Sequence, residues 1–397
     1  MMACAGKVLI IVENLPVPFD TRVWQEAVTL NDNGYLVSVI CPKGKSFTKD
    51  YEKINGVNIY RYELKVEGNG ALGYLKEYYI SYREQLKLAK KVYKEVGFDV
   101  IQGCNPPDNI YLIWKKFKKY GVKYVFDHHD LCPELFEAKF NRKGFLYKML
   151  CYFEYLTYKN CSIAFVTNES YKKVAITRCK MDEKKVYVLR SGPNLKRLKL
   201  QASKQKIKKG KKYMVGYLGV IGKQEGIEYL LKAAKYLKEE KGRSDIFYGI
   251  VGGGPHLEYL QKLCKKMELD KDIEFTGRVP DQIMLDYLNT ADICVNPDTY
   301  NEMNDKSTMN KILEYMALGK PIVQFNLSEG KYSAKEASLY AENNNYKDMA
   351  DKIEFLLDNP EVRNKMGKYG RNRIEFELSW EHTSKALLNG YGKLLSQ

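Results

Sequence analysis

The sequence predicts an α/β protein of two doubly wound, Rossmann-like domains facing a central cleft. Three observations predict it. The chain has 397 residues, too many for one ordinary hydrophobic core and enough for two. Short β-branched apolar runs alternate with segments of helical spacing, the pattern of a parallel sheet with crossover helices. The alternation occurs twice, and a strongly basic stretch separates the two series.

The first series opens with the strand "KVLIIVENL". It continues with "FDTRVWQEAVTLNDNG", where Val23, Ala27 and Leu30 share one side of a helix that Gly34 stops, and then with the strand Tyr35 to Pro42. There follow the strand "VNIYRYEL", a long helix over 74–95, the strand "DVIQGCN", the helix "PDNIYLIWKKFKKYG" and the strands "KYVFDHHD" and "CSIAFVTN". In "KRLKLQASKQKIKKGKK", residues 196–212, nine of the seventeen residues are Lys or Arg and none is acidic, which reads as a solvated linker. The second series runs through the strand "YMVGYLGVIG", a helix from Gly226 to Glu240, "IFYGIVGGG", a helix from Pro255 to Met267, "IEFTGRV", a short helix from Pro280, "ICVNPD", a helix from Ser307 to Leu318, "PIVQF" and closing helices. The expected division is an N-terminal domain over 1–195 on which a C-terminal helix of about 380–397 packs back, a linker over 196–212, and a ligand-binding domain over 213–379. Paired sheets of this kind place ligands at the carboxyl ends of their strands.

Composition narrows the function classes. With 45% apolar and 29% charged residues the chain is globular, neither disordered nor fibrous. No apolar run is long enough to span a bilayer, and the start "MMACAGKVLIIVEN" lacks a signal-peptide pattern, so a cytoplasmic chain is expected. The nine cysteines form no CxxC pair and read as reduced residues, so no metal is expected. A formal charge of +16 favours phosphates, anionic lipid or acidic substrates. Lys and Tyr interleave in "YLKEYYISYREQLKLAKKVYKE", but the segment carries a helical apolar stripe and no nucleic-acid motif. Nucleic acid is therefore not the expected partner, and the charge leaves phosphates, anionic lipid and acidic substrates open.

The most legible stretch is "NDKSTMNKILEYMALGKPIV", residues 304–323. Met309, Ile312, Leu313 and Met316 fall on a core face, and Ser307, Lys311 and Glu314 lie on another. Asp305 or Ser307 suits the helix N-cap, and Gly319 suits the left-handed position after the helix. An acid one turn below a helix N-terminus could receive hydroxyls beneath a bound phosphate. From spacing alone a solvated surface acid is the simpler reading of Glu314. In "YVFDHHDLCPELF", two histidines and two aspartates stand at the end of a strand, where this architecture places ligands. Asp20 reads as a helix cap, with Arg22 in the turn that follows.

That stretch, together with "IVGGGPHLEYLQKLCKKMELDKDIEFTGRVP" and the tandem layout, resembles the retaining glycosyltransferases of family 4, which have the GT-B fold. The resemblance covers essentially the whole chain. It implies that Glu314 holds the ribose hydroxyls of a nucleotide-sugar donor, with Lys311 and Ser307 on the same face. A second acid usual in the family is replaced by Lys306, which leaves Lys306 and Asp305 as candidate contacts to the donor sugar. Val220 and Glu225 stand where the family carries two bases for the diphosphate, so Lys223 and Arg190 become the candidate substitutes, beside Gly222. Arg278 and Val279 match the loop that reads the base. His129 matches the histidine that contacts the donor sugar, with Asp130 as its orienter, and Asp20 and Arg22 fall on the acceptor side.

The implied activity is transfer of a sugar, with retention, from a UDP-linked donor to a hydroxyl of a cell-surface or lipid-linked glycan. It needs no metal or other cofactor, and it fits a cytoplasmic protein that attaches peripherally to the inner face of the membrane. The alternatives are a GT-B protein that is not a transferase, such as a sugar-nucleotide epimerase or an inactive relative, and a basic nucleic-acid-binding protein.

Overall fold

A computed structural model describes residues 5–44, 46–64, 70–140 and 142–396, with the side chains of residues 70–72, 74 and 75 left aside. The chain divides into two compact units, Met1–Ser191 with Thr383–Gln397, and Gly192–His382. In the first unit β1 (Gly6–Val12), β2 (Tyr35–Pro42), β3 (Tyr51–Ile54), β4 (Val57–Tyr62), β5 (Val100–Cys104), β6 (Lys123–His128), β7 (Ile163–Val166) and β8 (Val186–Val188) form one sheet. Its order is β3-β4-β2-β1-β5-β6-β7-β8. Every pairing is parallel except that of β3 with β4. Val8 to Val12 are at most 1% exposed, because a central parallel strand is covered on both faces. The helix Thr21–Asp32 buries the expected Val23, Ala27 and Leu30.

The second unit has six parallel strands: β9 (Tyr213–Leu218), β10 (Ile246–Val251), β11 (Ile273–Gly277), β12 (Ile293–Asn296), β13 (Ile322–Phe325) and β14 (Ser338–Ala341). They stand in the order β11-β10-β9-β12-β13-β14, so the chain reverses direction across the sheet between β9 and β12. In doubly wound sheets the loops at such a reversal hold the ligand. The helix Ile227–Glu239 packs Ile227, Leu230, Leu231, Ala234 and Leu237 against this sheet.

Two expectations change here. The basic stretch 196–212 lies within the second unit and is pinned to it. Leu198 is buried in the core, while Lys204, Lys208 and Lys211 pair with Asp286, Asp292 and Asp272 at 2.7, 2.8 and 2.6 Å. The acids that answer this charge lie far along the sequence, so a reading of local composition saw only the bases. The expected helix over 307–318 is also broken. Asn301 caps a short helix Glu302–Lys306, residues 307–309 are not helical, and a new helix runs Asn310–Ala317. Ser307 is therefore not an N-cap, and its hydroxyl donates back to Met303 O at 2.7 Å. Gly319 does take the left-handed position after the helix, with φ +63°.

Candidate active site

In the second unit the loops after β9, β10 and β11 are laced together by backbone. Gly219 N–H donates to Val251 O, Ile221 N–H to Gly253 O and Gly252 N–H to Gly277 O, each at 3.1 Å. Such close approach requires glycine. At Gly252, where φ is +139°, a Cβ would lie 1.8 Å from Gly219 O, and at Gly226 it would lie 2.0 Å from Pro297 O. Gly252→Ala is therefore expected to destabilise the protein by roughly 1–3 kcal/mol, read as a lower Tm in thermal denaturation. Gly222 is buried in the same loop, with Lys223 exposed beside it. Val220 is 60% exposed, an apolar side chain presented to solvent at the tip. Arg278 is exposed directly after β11, and Val279 is half-buried against the core.

Lys311 leaves the polar face on which spacing placed it. It is buried, its Nζ lies 2.7 Å from Asp298 Oδ1, and its ammonium stands 5.1 Å from the centroid of the Tyr217 ring. Burial opposes its charge, but Asp298 and its other neighbours outweigh that and raise its pKa. Turning under the loop at Gly219 answers the buried carboxylate of Asp298, which could not stay charged there alone. Lys306 forms an ion pair with Glu302 Oε2 at 2.7 Å, so a carboxylate stands beside the charge-reversed position. Asp305 accepts from Ser328 N–H at 2.8 Å and from its hydroxyl at 3.0 Å, which ties its carboxylate to the start of the helix Ser328–Ala334 rather than leaving it for a sugar.

Glu314, on the helix Asn310–Ala317, is half-buried and accepts from Arg197 Nη1 at 3.1 Å. Burial pushes its carboxyl up, Arg197 draws it down, and the net direction is upward. Arg197 also holds Asp281 at 2.7 and 2.9 Å. Arg197 was hidden by its basic neighbours in the sequence, and Asp298 carried no periodic signal.

In the first unit, Asp20 caps the helix Thr21–Asp32 by accepting from Val23 N–H at 3.1 Å. Arg22 points inward instead of toward an acceptor. It is 7% exposed, pairs with Asp127 at 2.7 Å and Glu26 at 3.1 Å, and donates to Leu189 O at 2.8 Å. Asp127 is wholly buried at the end of β6, and a buried carboxylate needs such a countercharge. Burial pushes its carboxyl up, but Arg22 and then His129 pull it well below the usual range.

His129 Nε2 lies 2.5 Å from Asp127 Oδ2, so Asp127 orients the imidazole and Asp130 does not. Residues two apart at the end of an extended strand share a side, which places 127 and not 130 beside the ring. That spacing was the available signal. The turn itself is clamped by Asn105, whose Oδ1 accepts from His129 N–H at 2.7 Å and Asp130 N–H at 3.2 Å. Burial raises the carboxyl of Asp130. His128 faces the interior, bonds Tyr158 OH at 2.7 Å and is lowered to about 3 by burial and by Arg178. Arg190 is buried just after β8 in this unit, whereas Glu314, Lys311, Lys223, Arg278 and Val279 belong to the other.

Among the described residues Cys104, Asp127 and His129 form a grouping with metal-ligand spacing. Arg22 already places a positive charge on Asp127, and burial raises the Cys104 thiol well above its usual range, so the charge environment opposes a cation.

Comparison with known proteins agrees with this layout. Residues 20–197 match the family model "Glycosyltransferase Family 4", and residues 199–373 match "Glycosyl transferases group 1". The chain is 24% identical over 365 residues to an uncharacterized glycosyltransferase of Methanocaldococcus jannaschii, covering 86% of each chain. It is 29% identical over 171 residues to an uncharacterized glycosyltransferase of Haemophilus influenzae, a match that spans 42% of this chain and 46% of the relative's length. Among solved structures, the sucrose-phosphate synthase of Thermosynechococcus elongatus superposes with a TM-score of 0.77 at 16% identity, over 98% of this chain and 99% of that one. The HepE protein of Anabaena, solved with UDP and glucose, gives 0.73 at 12% identity over 99% and 100%. These structural likenesses carry the fold, and the matches run through both units from the capped helix at Asp20 to beyond Glu314, so the chain belongs to the family 4 glycosyltransferases and has the GT-B fold.

Proposed function

We propose that this glycosyltransferase moves a sugar, with retention, from a UDP-linked donor to a hydroxyl of a cell-surface or lipid-linked glycan. The observation that carries the reading is the Glu314 carboxylate, half-buried near the loops at the carboxyl ends of the strands and held through Arg197 to Asp281, directly after the turn of Arg278 and Val279. Glu314 receives the ribose hydroxyls, and Arg278 and Val279 border the base. The bond between the anomeric carbon and a diphosphate oxygen breaks, and its electron pair leaves with the diphosphate. The acceptor oxygen bonds to the same face of the sugar, and its proton passes to the departing phosphate. Developing charge on the leaving group is met by the exposed Lys223 and the backbone N–H groups of the glycine loop. His129, held by Asp127 and Asn105, contacts the transferred sugar. No step draws on a metal. Lys311, already paired with Asp298, shapes the floor of the loop.

A screen of nucleotides and nucleotide sugars by thermal shift tests the reading. A ligand present at about a hundred times its Kd adds about 2.7 kcal/mol, which for units of this size raises Tm by roughly 5–10 °C. UDP and a UDP-sugar are expected to give such a shift, and a panel with no shift at all defeats the donor-binding reading. An inactive relative is favoured by Lys306 at the family's second acidic position and by Val220 and Glu225 at its two basic positions. Release of nucleotide in the presence of donor decides against it.

The acceptor side of the reading includes peripheral membrane contact. No helix among the described residues is long and apolar enough to cross a membrane. The helix Phe145–Asn160 presents Phe145 at 80% exposure and Tyr152 at 58%, with Lys148 exposed between them and Lys159 beyond. Positions 145, 148, 152 and 159 share one helical face, so aromatic and basic side chains meet a surface together. Flotation with anionic vesicles is expected to carry the protein at low salt and much less at high salt, and Phe145→Ala with Tyr152→Ala is expected to abolish it. Failure to float at low salt rules the contact out.

A further inference from the structure

Arg197 is held more tightly than a basic stretch suggests. Leu198 next to it is 1% exposed and packed in the core of the second unit. The N–H groups of Arg197 and Leu198 both donate to Asn194 O at 3.1 Å, so the backbone at Arg197 is set before its side chain bonds anything. Its guanidinium then makes two bonds to Asp281, Nε to Oδ2 at 2.7 Å and Nη2 to Oδ1 at 2.9 Å. The remaining nitrogen, Nη1, donates to Glu314 Oε1 at 3.1 Å. Asp281 is the first residue of the helix Asp281–Thr290 and follows directly on the turn of Arg278 to Pro280. Lys204, Lys208 and Lys211 of the same stretch meet other acids.

A pair of vicinal ribose hydroxyls needs a carboxylate that is ionised and fixed in rotation. One bond to Oε1 from a guanidinium whose other two nitrogens are anchored supplies the fixing, and lysine, a single point charge, could not grip both acids in this way. We propose that Arg197 is a positioning residue of the nucleotide site, setting the Glu314 carboxylate for the ribose hydroxyls and tying it through Asp281 to the turn that borders the base. This rests on the reading of Glu314 as the ribose ligand. The charged groups that face Glu314 are Arg197, which draws its proton affinity down, and Asp281, which raises it. The carboxylate form receives hydroxyls, so binding of a ribonucleotide holds above the Glu314 pKa and falls as pH drops through it. Removing Arg197 moves that fall to higher pH.

The test titrates UDP, GDP and ADP, each beside its 2′-deoxy counterpart, calorimetrically into the wild type and into Arg197→Ala, Arg197→Lys and Asp281→Asn, using the base that the wild type binds most tightly. The wild type is expected to prefer the ribonucleotide. Arg197→Ala is expected to weaken it by about tenfold or more, to change the 2′-deoxy form by less than about threefold, and to move the pH midpoint of binding upward. Arg197→Lys recovers part of the preference, and Asp281→Asn, which loosens the anchor while leaving the bond to Glu314, has an intermediate effect. If Arg197→Ala does not fold, these two variants decide by the same ratio. An unchanged ribose-to-deoxyribose ratio and pH midpoint in folded variants, whatever their Tm, reduces Arg197 to a surface tie and overturns the proposal. A wild type that binds none of the three nucleotides defeats the ribose reading of Glu314 itself, and the role of Arg197 falls with it.

Discussion

Glu314→Ala is expected to weaken UDP binding by about 1.5–3 kcal/mol, roughly 10- to 150-fold in Kd, through loss of charged hydrogen bonds to the ribose. The fold should survive the change. Glu314 is only half-buried, and Arg197 keeps its two bonds to Asp281, so no guanidinium is left stranded. Titration calorimetry against UDP measures the affinity, and a melting curve of the free protein reads the stability separately. Glu314→Gln, which keeps the shape and one acceptor oxygen, should fall between the wild type and the alanine variant. An affinity equal to that of the wild type returns Glu314 to the solvated face that its spacing alone suggested.

At the other end of the chain, Asp127→Asn and His129→Ala should separate stability from turnover. Asp127 is wholly buried and is shared by Arg22 and His129, so removing its charge leaves a buried guanidinium without its main partner. Breaking a buried pair of this kind costs about 3–5 kcal/mol, which lowers Tm by roughly 6–20 °C in a unit of this size. His129 is more exposed, stands at the end of the strand and leaves Arg22 on Asp127 when it is removed, so its loss is expected to lower Tm less than Asp127→Asn does. Its effect should fall on kcat, about a hundredfold or more if it stabilises the reacting sugar, with UDP affinity unaltered. The pH dependence of folding carries the same signature. The Asp127 pKa lies below its unfolded value, so its contribution to stability is complete above the ordinary carboxylate range and is lost as pH falls through the depressed value. Asp127→Asn should flatten that acid limb. Equal Tm for Asp127→Asn and the wild type, or full turnover by His129→Ala, contradicts this account.

Legibility followed periodicity. Central parallel strands are buried on both faces, so β1, β2 and β9 stand out as apolar runs. The helix Thr21–Asp32 declared its buried stripe through Val23, Ala27 and Leu30. Edge elements were harder. The short β3, whose residues are exposed or half-buried, and β8, with three residues, lack an apolar run of strand length. The helix expected from Ser307 failed because Asn301, not a residue of the apolar pattern, starts a separate turn, and its end forces residues 307–309 out of helical geometry.

By itself the sequence determined the doubly wound class, the strand ends at which ligands gather, and the identity of the acid and the histidine worth testing, Glu314 and His129. All of these depend on local spacing or on a contiguous motif. Only the tertiary structure decided the partners. Arg22 turns inward to Asp127, Lys311 goes under the loop to Asp298, and Arg197 emerges from a run of bases to hold Glu314. The physical reason is common to all three. A buried or half-buried charge takes its counterion from whatever segment the fold brings within about 3 Å, across separations such as the 117 residues between Arg197 and Glu314, and no local pattern records that choice.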